Sequence, residues 1–287
     1  MSSNQTEQMK GIPEVVMEPV EPFGLLITSN VPGADIGRPL VDLLPGLARN
    51  EKIVVLRGFR SFPDAVDFDA FARRLGKPME WPFGTVLELV EHEDPADSVF
   101  SNGFLPFHWD GMYVSHIPEF QVFSCVEAPG GDDGGRTVFA DTTAILDGAG
   151  ERERDLWSKI TITYTIRQAA HYGGRAKSPL VVPHPAEGYP TIRFNEPMPK
   201  DEDVVNRSEL TIEGVEPEDA NHALAHLQAA LYDPRYNYRH AWQEGDVVIA
   251  NNYALLHTRE RYRSHAPRHL RRIHILGDPP FRNPAVA

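Results

Sequence analysis

From about residue 84 onward the chain breaks into short β-rich runs separated by turn residues: TVLELV, EFQVFSCV, RTVFAD, KITITYTI, TIRFN, GDVVIAN and RRIHIL. Runs this short, rich in β-branched and aromatic residues and closed by Gly, Pro, Asp or Asn, are strands. Many of them in series make an antiparallel barrel or a jelly roll. Ahead of them KIVVLRGF (52–59) reads as a buried strand, and DAVDFDAFARRLG (64–76) as a helix with Val66, Phe68, Phe71, Ala72 and Leu75 at helical spacing. A second helix is expected over 218–233, where Ala220, Leu224, Leu227 and Leu231 form an apolar stripe. The fold class is therefore mainly β with flanking helices (α+β), and 287 residues fit one such domain. Residues 1–22, polar and interrupted by prolines, read as a flexible N-terminal arm before a single domain at 23–287. The Pro- and Gly-rich stretch 172–203 is too long for a tight hairpin and is a candidate substrate lid.

Charge narrows the partners. Lys and Arg number 28 against 41 Asp and Glu, a net charge of −13, which repels nucleic-acid phosphates and anionic membranes. No stretch of eighteen apolar residues occurs and the N-terminus lacks a basic start leading into an apolar run, so a soluble, cytoplasmic protein is expected. The one cysteine, Cys125, lies in the apolar run FQVFSCV and is expected to be a buried structural thiol. Whether the chain forms a homo-oligomer is left open.

In FHWDGMY, His108 and Asp110 are two residues apart, so on an extended backbone both side chains leave one face and can grip one ion. An HxD pair alone is a weak signal in a chain with twelve histidines. A third ligand is available at His257, just after the apolar run DVVIAN. Two histidines and one carboxylate leave open positions on a metal, the arrangement suited to oxygen-activating Fe(II). Further on, in APRHLRRIHIL, Arg268, Leu270, Arg272 and His274 share one strand face. Two inward guanidiniums are costly without counter-anions, and their planar fork matches carboxylates. Arg259, Arg261 and Arg263 read instead as a solvated basic strand end. His116, His171, His184 and His274 have no spacing that demands a metal.

These motifs, HWDGMY, GGRTVFAD, SPLVVPHPAEGYPTIRFN, GDVVIANNYALLHTRERY and RHLRRIHI, resemble the successive signatures of the TauD/TfdA-type 2-oxoglutarate dioxygenases over residues 50–277. The resemblance implies a double-stranded β-helix (jelly roll), with metal ligands at His108, Asp110 and His257 and with 2-oxoglutarate and O2 as co-substrates. It also implies that Thr137 and Arg268 hold the distal carboxylate of 2-oxoglutarate, and Arg272 the acidic group of the substrate. The retained carboxylate at Asp110 disfavours halogenation, for which relatives carry a small residue there. Within the family, WPFGTVLELVE, FHWDGMYVSHIPEFQVF and APRHLRRIHI are most similar to PvcB-like enzymes of isonitrile biosynthesis. That likeness implies an aromatic amino-acid isonitrile as substrate, tyrosine isonitrile first, supplied by an isonitrile synthase. It implies oxidation at the benzylic carbon with decarboxylative desaturation. Trp81, Phe83 and Tyr113 are candidates for an aromatic substrate wall, though each is as readily explained by core packing. The competing functions are a hydroxylase of another small carboxylate or sulfonate, a jelly-roll binding module and a zinc hydrolase on the same ligands.

Overall fold

A computed structural model describes residues 15–286 apart from Ala96, 170–171 and 200–206. The strands of the first half are β1 (Val15–Pro19), β2 (Leu25–Ser29), β3 (Ile53–Arg57), β4 (Val86–Leu89), β5 (Leu105–His108), β6 (His116–Ile117), β7 (Phe120–Glu127) and β8 (Thr137–Asp141). There follow β9 (Thr161–Ala169), β10 (Tyr172–Pro179), β11 (Val181–Pro183), β12 (Pro190–Ile192), β13 (Glu209–Glu213), β14 (Asn237–His240), β15 (Val247–Asn251), β16 (Leu255–Arg259), β17 (His269–Ile275) and β18 (Phe281–Arg282). Five α-helices lie among the described residues: α1 (Arg38–Glu51), α2 (Ala65–Ala72), α3 (Thr142–Gly148), α4 (Glu151–Lys159) and α5 (Pro217–Leu231).

A major sheet of order β1-β2-β3-β15-β7-β17-β4 faces a minor sheet of order β14-β8-β16-β5. Every pairing in them is antiparallel except β2 with β3. The period-two alternation of the central strands sorts their side chains into layers. Val247 and Ile249 of β15, with Val54 and Leu56 of β3, turn outward onto α1 and α2. Val248, Ala250, Ile53 and Val55 turn inward and meet Phe139 and Leu255 of the minor sheet. On the far face of the minor sheet Phe107, Val138, Ala140 and Leu256 pack against α3, α4 and α5. This sandwich, with helices outside both sheets, is the expected jelly roll, and Cys125 is buried in its inner layer.

Three readings of the sequence need correction. Val15–Pro19 is not a loose arm but pairs along its length with β2 as the edge of the major sheet; residues 1–14 lie outside the described residues. The stretch proposed as a lid is mostly built structure, since β10 pairs with β9, β11 pairs with β12, and Ala176, Leu180, Ile192 and Phe194 are fully buried; residues 200–203 lie outside the described set. In α2 the Asp64 carboxylate accepts from the backbone N–H groups of Val66 and Asp67, which starts the helix but leaves Val66 exposed rather than on the buried stripe.

Candidate metal centre

The inner faces of the two sheets converge on one cleft. On β16 the alternation that sends Leu256 outward turns Leu255, His257 and Arg259 inward. On β5 Phe107 points out and His108 in, and the register sets His108 directly opposite His257. Asp110 lies two residues past the end of β5, and its backbone N–H donates to Asn252 Oδ1 at 3.0 Å. The His108 and His257 rings are 4.1 Å apart between centroids. Asp110 Oδ1 is 3.9 Å from His108 Nε2, and Asp110 Oδ2 is 4.0 Å from His257 Nε2. The structure thus brings the three residues expected from the sequence together, with their ligand atoms within 4.8 Å of one another.

The donor set fits a divalent transition metal. His108 Nδ1 is 2.8 Å from the Pro106 carbonyl, so its proton sits there and its Nε2 lone pair faces the centre. Burial, the largest effect, pulls the pKa of both His108 and His257 down, and the His108 ring further lowers that of His257, so both are neutral and able to ligate. Burial would raise Asp110, but Arg272 and His274 beside it hold its carboxyl well below the usual range. The site is therefore two neutral imidazoles and one carboxylate, the combination expected of iron.

Asp110 Oδ2 is held by three donors: Gln121 Nε2 at 2.9 Å, Arg272 Nη1 at 2.9 Å and His274 Nε2 at 2.7 Å. The Gln121 side-chain amide also lies 3.1 Å from His257 Nδ1, so it touches two of the three ligand residues. Gln121, Asn252 and His274 have no local motif and were not expected. The one available signal was strand parity, which places His274 beside Arg272 and pairs it with Gln121 across β17 and β7. Partners of this kind commonly contribute 10–100-fold to metal affinity. Replacing Gln121 by Leu is expected to lower iron affinity by roughly that factor, with turnover largely restored at saturating iron; an unchanged iron titration would remove Gln121 from this role.

At the triad lies a narrow cleft of about 40 Å³, lined by His108 and His257 and also by Thr137, Arg259, Arg268 and Arg272. A larger open cleft of about 290 Å³ lies against α2 and contains neither triad histidine, so size does not mark the chemistry here. Arg268 donates through Nε to the Gly135 carbonyl at 3.1 Å, stacks over Tyr262 and has no carboxylate partner among the described residues. Its burial pulls its pKa down to about 10, the signature of a guanidinium short of counter-charge. Thr137 is buried, its Oγ1 accepting from Trp242 Nε1 at 3.1 Å. Arg259 is not solvated as its charged surroundings suggested. Strand parity buries it in the cleft, where the carbonyls of Ser98, Val99 and Gly103 take its guanidinium and burial pulls its pKa to about 9. Arg272 differs from Arg268 in having an internal counter-anion, Asp110, although its Nε is buried without a partner among the described residues.

The three aromatics do not line this cleft. Trp81 stacks on Phe83 at 5.9 Å and lies 5.6 Å from the His274 ring, which places the pair on the Asp110 side of the centre. Tyr113 is half-buried against the helical core.

A family model described as "Taurine catabolism dioxygenase TauD, TfdA family" matches residues 18–274. A tyrosine isonitrile desaturase of Pseudomonas aeruginosa is 46% identical over 263 residues, 91% of this chain and 90% of that protein. A 3-((Z)-2-isocyanoethenyl)-1H-indole synthase of Fischerella ambigua is 38% identical over 255 residues, 89% of this chain and 93% of that protein. A solved structure of PvcB, an Fe, alpha-ketoglutarate dependent oxygenase from an isonitrile synthetic pathway, superposes with a TM-score of 0.81 at 41% identity, covering 94% of this chain and 95% of that one.

Proposed function

Because the chain belongs to the TauD, TfdA family and is an Fe(II)- and 2-oxoglutarate-dependent oxygenase, we propose that it converts an aromatic amino-acid isonitrile, tyrosine isonitrile first, into the decarboxylated vinyl isonitrile. The observation that carries this reading is the 46% identity to a tyrosine isonitrile desaturase across nine-tenths of both chains. The indole relative supports the same outcome, since the product in its name is an ethenyl isocyanide without a carboxylate.

His108, Asp110 and His257 would hold Fe(II), which with 2-oxoglutarate and O2 supplies a two-electron oxidant in the site. The chain's own residues bind and orient. Arg268, with Thr137 in the same cleft, holds the distal carboxylate of 2-oxoglutarate: it has no carboxylate partner among the described residues, and only one backbone carbonyl meets its guanidinium, whereas three take up that of Arg259. Arg272 keeps Nη1 on Asp110 and offers its Nε, which has no partner among the described residues, to the substrate carboxylate. Trp81 and Phe83, beside His274, would flank the substrate ring, whereas Tyr113 packs against the helical core. The overall change balances: a benzylic C–H bond and the C–C bond to the carboxylate break, a C=C bond forms, and the substrate loses CO2 and two hydrogens. One oxygen atom of O2 leaves as water and the other in succinate. An isonitrile function is the product of a separate carbon-transfer step on an amino acid, so an isonitrile synthase must supply this substrate.

Mass analysis of the reaction tests the reading. Expected are loss of CO2 and two hydrogens and one succinate per turnover. A gain of one oxygen with the carboxylate retained would replace the desaturase by a hydroxylase. Free tyrosine is expected to be a poor substrate, because its charged ammonium must be desolvated where the neutral isonitrile need not be; equal turnover of the two would overturn the substrate assignment.

A further inference from the structure

Outside the catalytic cleft, the seam between α4 and α5 carries a second cluster of metal-ligating side chains. His222 and His226 are one turn apart on α5, so both project from the same face of the helix. Opposite them stands Glu153, in the first turn of α4. Glu153 Oε1 is 3.6 Å from His222 Nε2 and 3.9 Å from His226 Nδ1, and the two rings lie 4.3 Å apart between centroids. The three ligand atoms fall within 4.8 Å of one another.

These separations are too long for hydrogen bonds. They are close to the edge of a coordination tetrahedron, about 3.4 Å for ligands roughly 2.0–2.1 Å from zinc. His222 Nε2 is shielded from solvent yet has no hydrogen-bond partner among the described residues. Glu153 Oε2 packs over Gly150 at the start of α4, while Oε1 faces the imidazoles. The helices are fixed independently by Trp157 Nε1, which donates to the Ala223 carbonyl at 3.0 Å, so the arrangement does not depend on a metal to exist. The side of the cluster at His226 is open to solvent, which gives an entry path and room for a water as fourth ligand.

We propose that Glu153, His222 and His226 form a second metal site, which takes a borderline dication, zinc first, through two imidazoles and one carboxylate and cross-links α4 to α5. Its effect is on stability, not on the reaction. A carboxylate with two imidazoles and a free position also suits Ni(II) or Cu(II), whereas Mg(II) and Ca(II) prefer all-oxygen sets and are not expected to bind.

The test uses tag-free, metal-stripped full-length chain dialysed against buffered zinc. His257→Ala weakens the proposed iron centre, so zinc held by that variant reports on the second site. It is expected to retain one zinc per chain and to gain about 5–10 °C in Tm when zinc is a hundredfold above its Kd. Adding His222→Ala and His226→Ala should abolish both. In the otherwise native chain the same two substitutions should remove one zinc equivalent and leave iron-dependent turnover within twofold, which also shows that the variant folds. Glu153→Gln, which keeps the shape but loses the charge, should weaken zinc binding at least tenfold. If the histidine substitutions leave both the zinc count and the zinc-dependent Tm unchanged, the ion binds elsewhere and the proposal falls. If His257→Ala binds no zinc at all, the cluster is only two histidines beside a carboxylate.

Discussion

His257→Ala is expected to lose iron and at least about a thousandfold in turnover while keeping the fold. A bound metal contributes several kcal/mol of transition-state stabilisation, and each 1.36 kcal/mol is a factor of ten in rate. The remaining donors cannot compensate, because His108 and Asp110 lie on one segment and His257 is the only member of the cluster that comes from β16. The change should not unfold the protein. The ring contacts Phe123 and Phe139 at centroid distances of 6.4 and 6.2 Å, and truncating it leaves a modest hole costing about 1–3 kcal/mol. The measurements are iron content, turnover at saturating iron and the thermal midpoint together. Normal turnover with normal iron content would show that the metal is held by other residues; loss of the cooperative melt would make the activity loss uninformative, and His257→Gln, which preserves more of the packing, would then decide.

The parts of this site that could be read from the sequence are those written in local spacing. His108 and Asp110 are neighbours, and the inward parity of Arg268 and Arg272 follows from one strand. His257 was offered only by its position just after an apolar run, and it is the pairing of β16 with β5 that sets it opposite His108. Gln121 and Asn252 lie 11 and 142 residues from Asp110 and reach it only through sheet pairing and the turn after β15, so no pattern in one segment points to them. Arg259 was misread because it starts the charged run RERYR, although its two-residue offset from His257 on one strand already put it in the cleft. For the fold, the strands with apolar alternation were legible, and others were not, α1 and β10 among them. α1 carries Pro45 inside it, which argues against a helix. Yet Leu40, Val41, Leu44, Leu47 and Ala48 keep helical spacing and are all buried against the major sheet. β10, with the sequence YGGRAKSP, looks like a loop, but it lies at the edge of a three-stranded sheet, where glycine and proline are tolerated.

Arg268 and Arg272 share a strand face and are expected to fail differently when removed. Arg268 has no carboxylate partner among the described residues, so the energy that would be gained by pairing it remains available to a bound anion. Arg268→Ala should therefore weaken 2-oxoglutarate by about 2–5 kcal/mol, or roughly 30- to 5000-fold in Kd, and leave the melting temperature of the ligand-free protein almost unchanged. The rise in Tm that 2-oxoglutarate produces in the native chain should vanish in the variant. Arg272 is already paired with Asp110, so its removal has two consequences that must be separated. One is the loss of a donor to Asp110 Oδ2, which His274 and Gln121 still occupy, and this lowers iron affinity only modestly. The other is the loss of the Nε donor offered to the substrate carboxylate. Run at saturating iron, Arg272→Ala should raise the KM for the isonitrile far more than the Kd for 2-oxoglutarate. Desaturation should also become less dominant over hydroxylation, because the carboxylate is no longer held in register with the benzylic carbon. If the two variants exchange these effects, the roles of the arginines are exchanged. If neither changes the binding of either acid, the cleft is not the anion site.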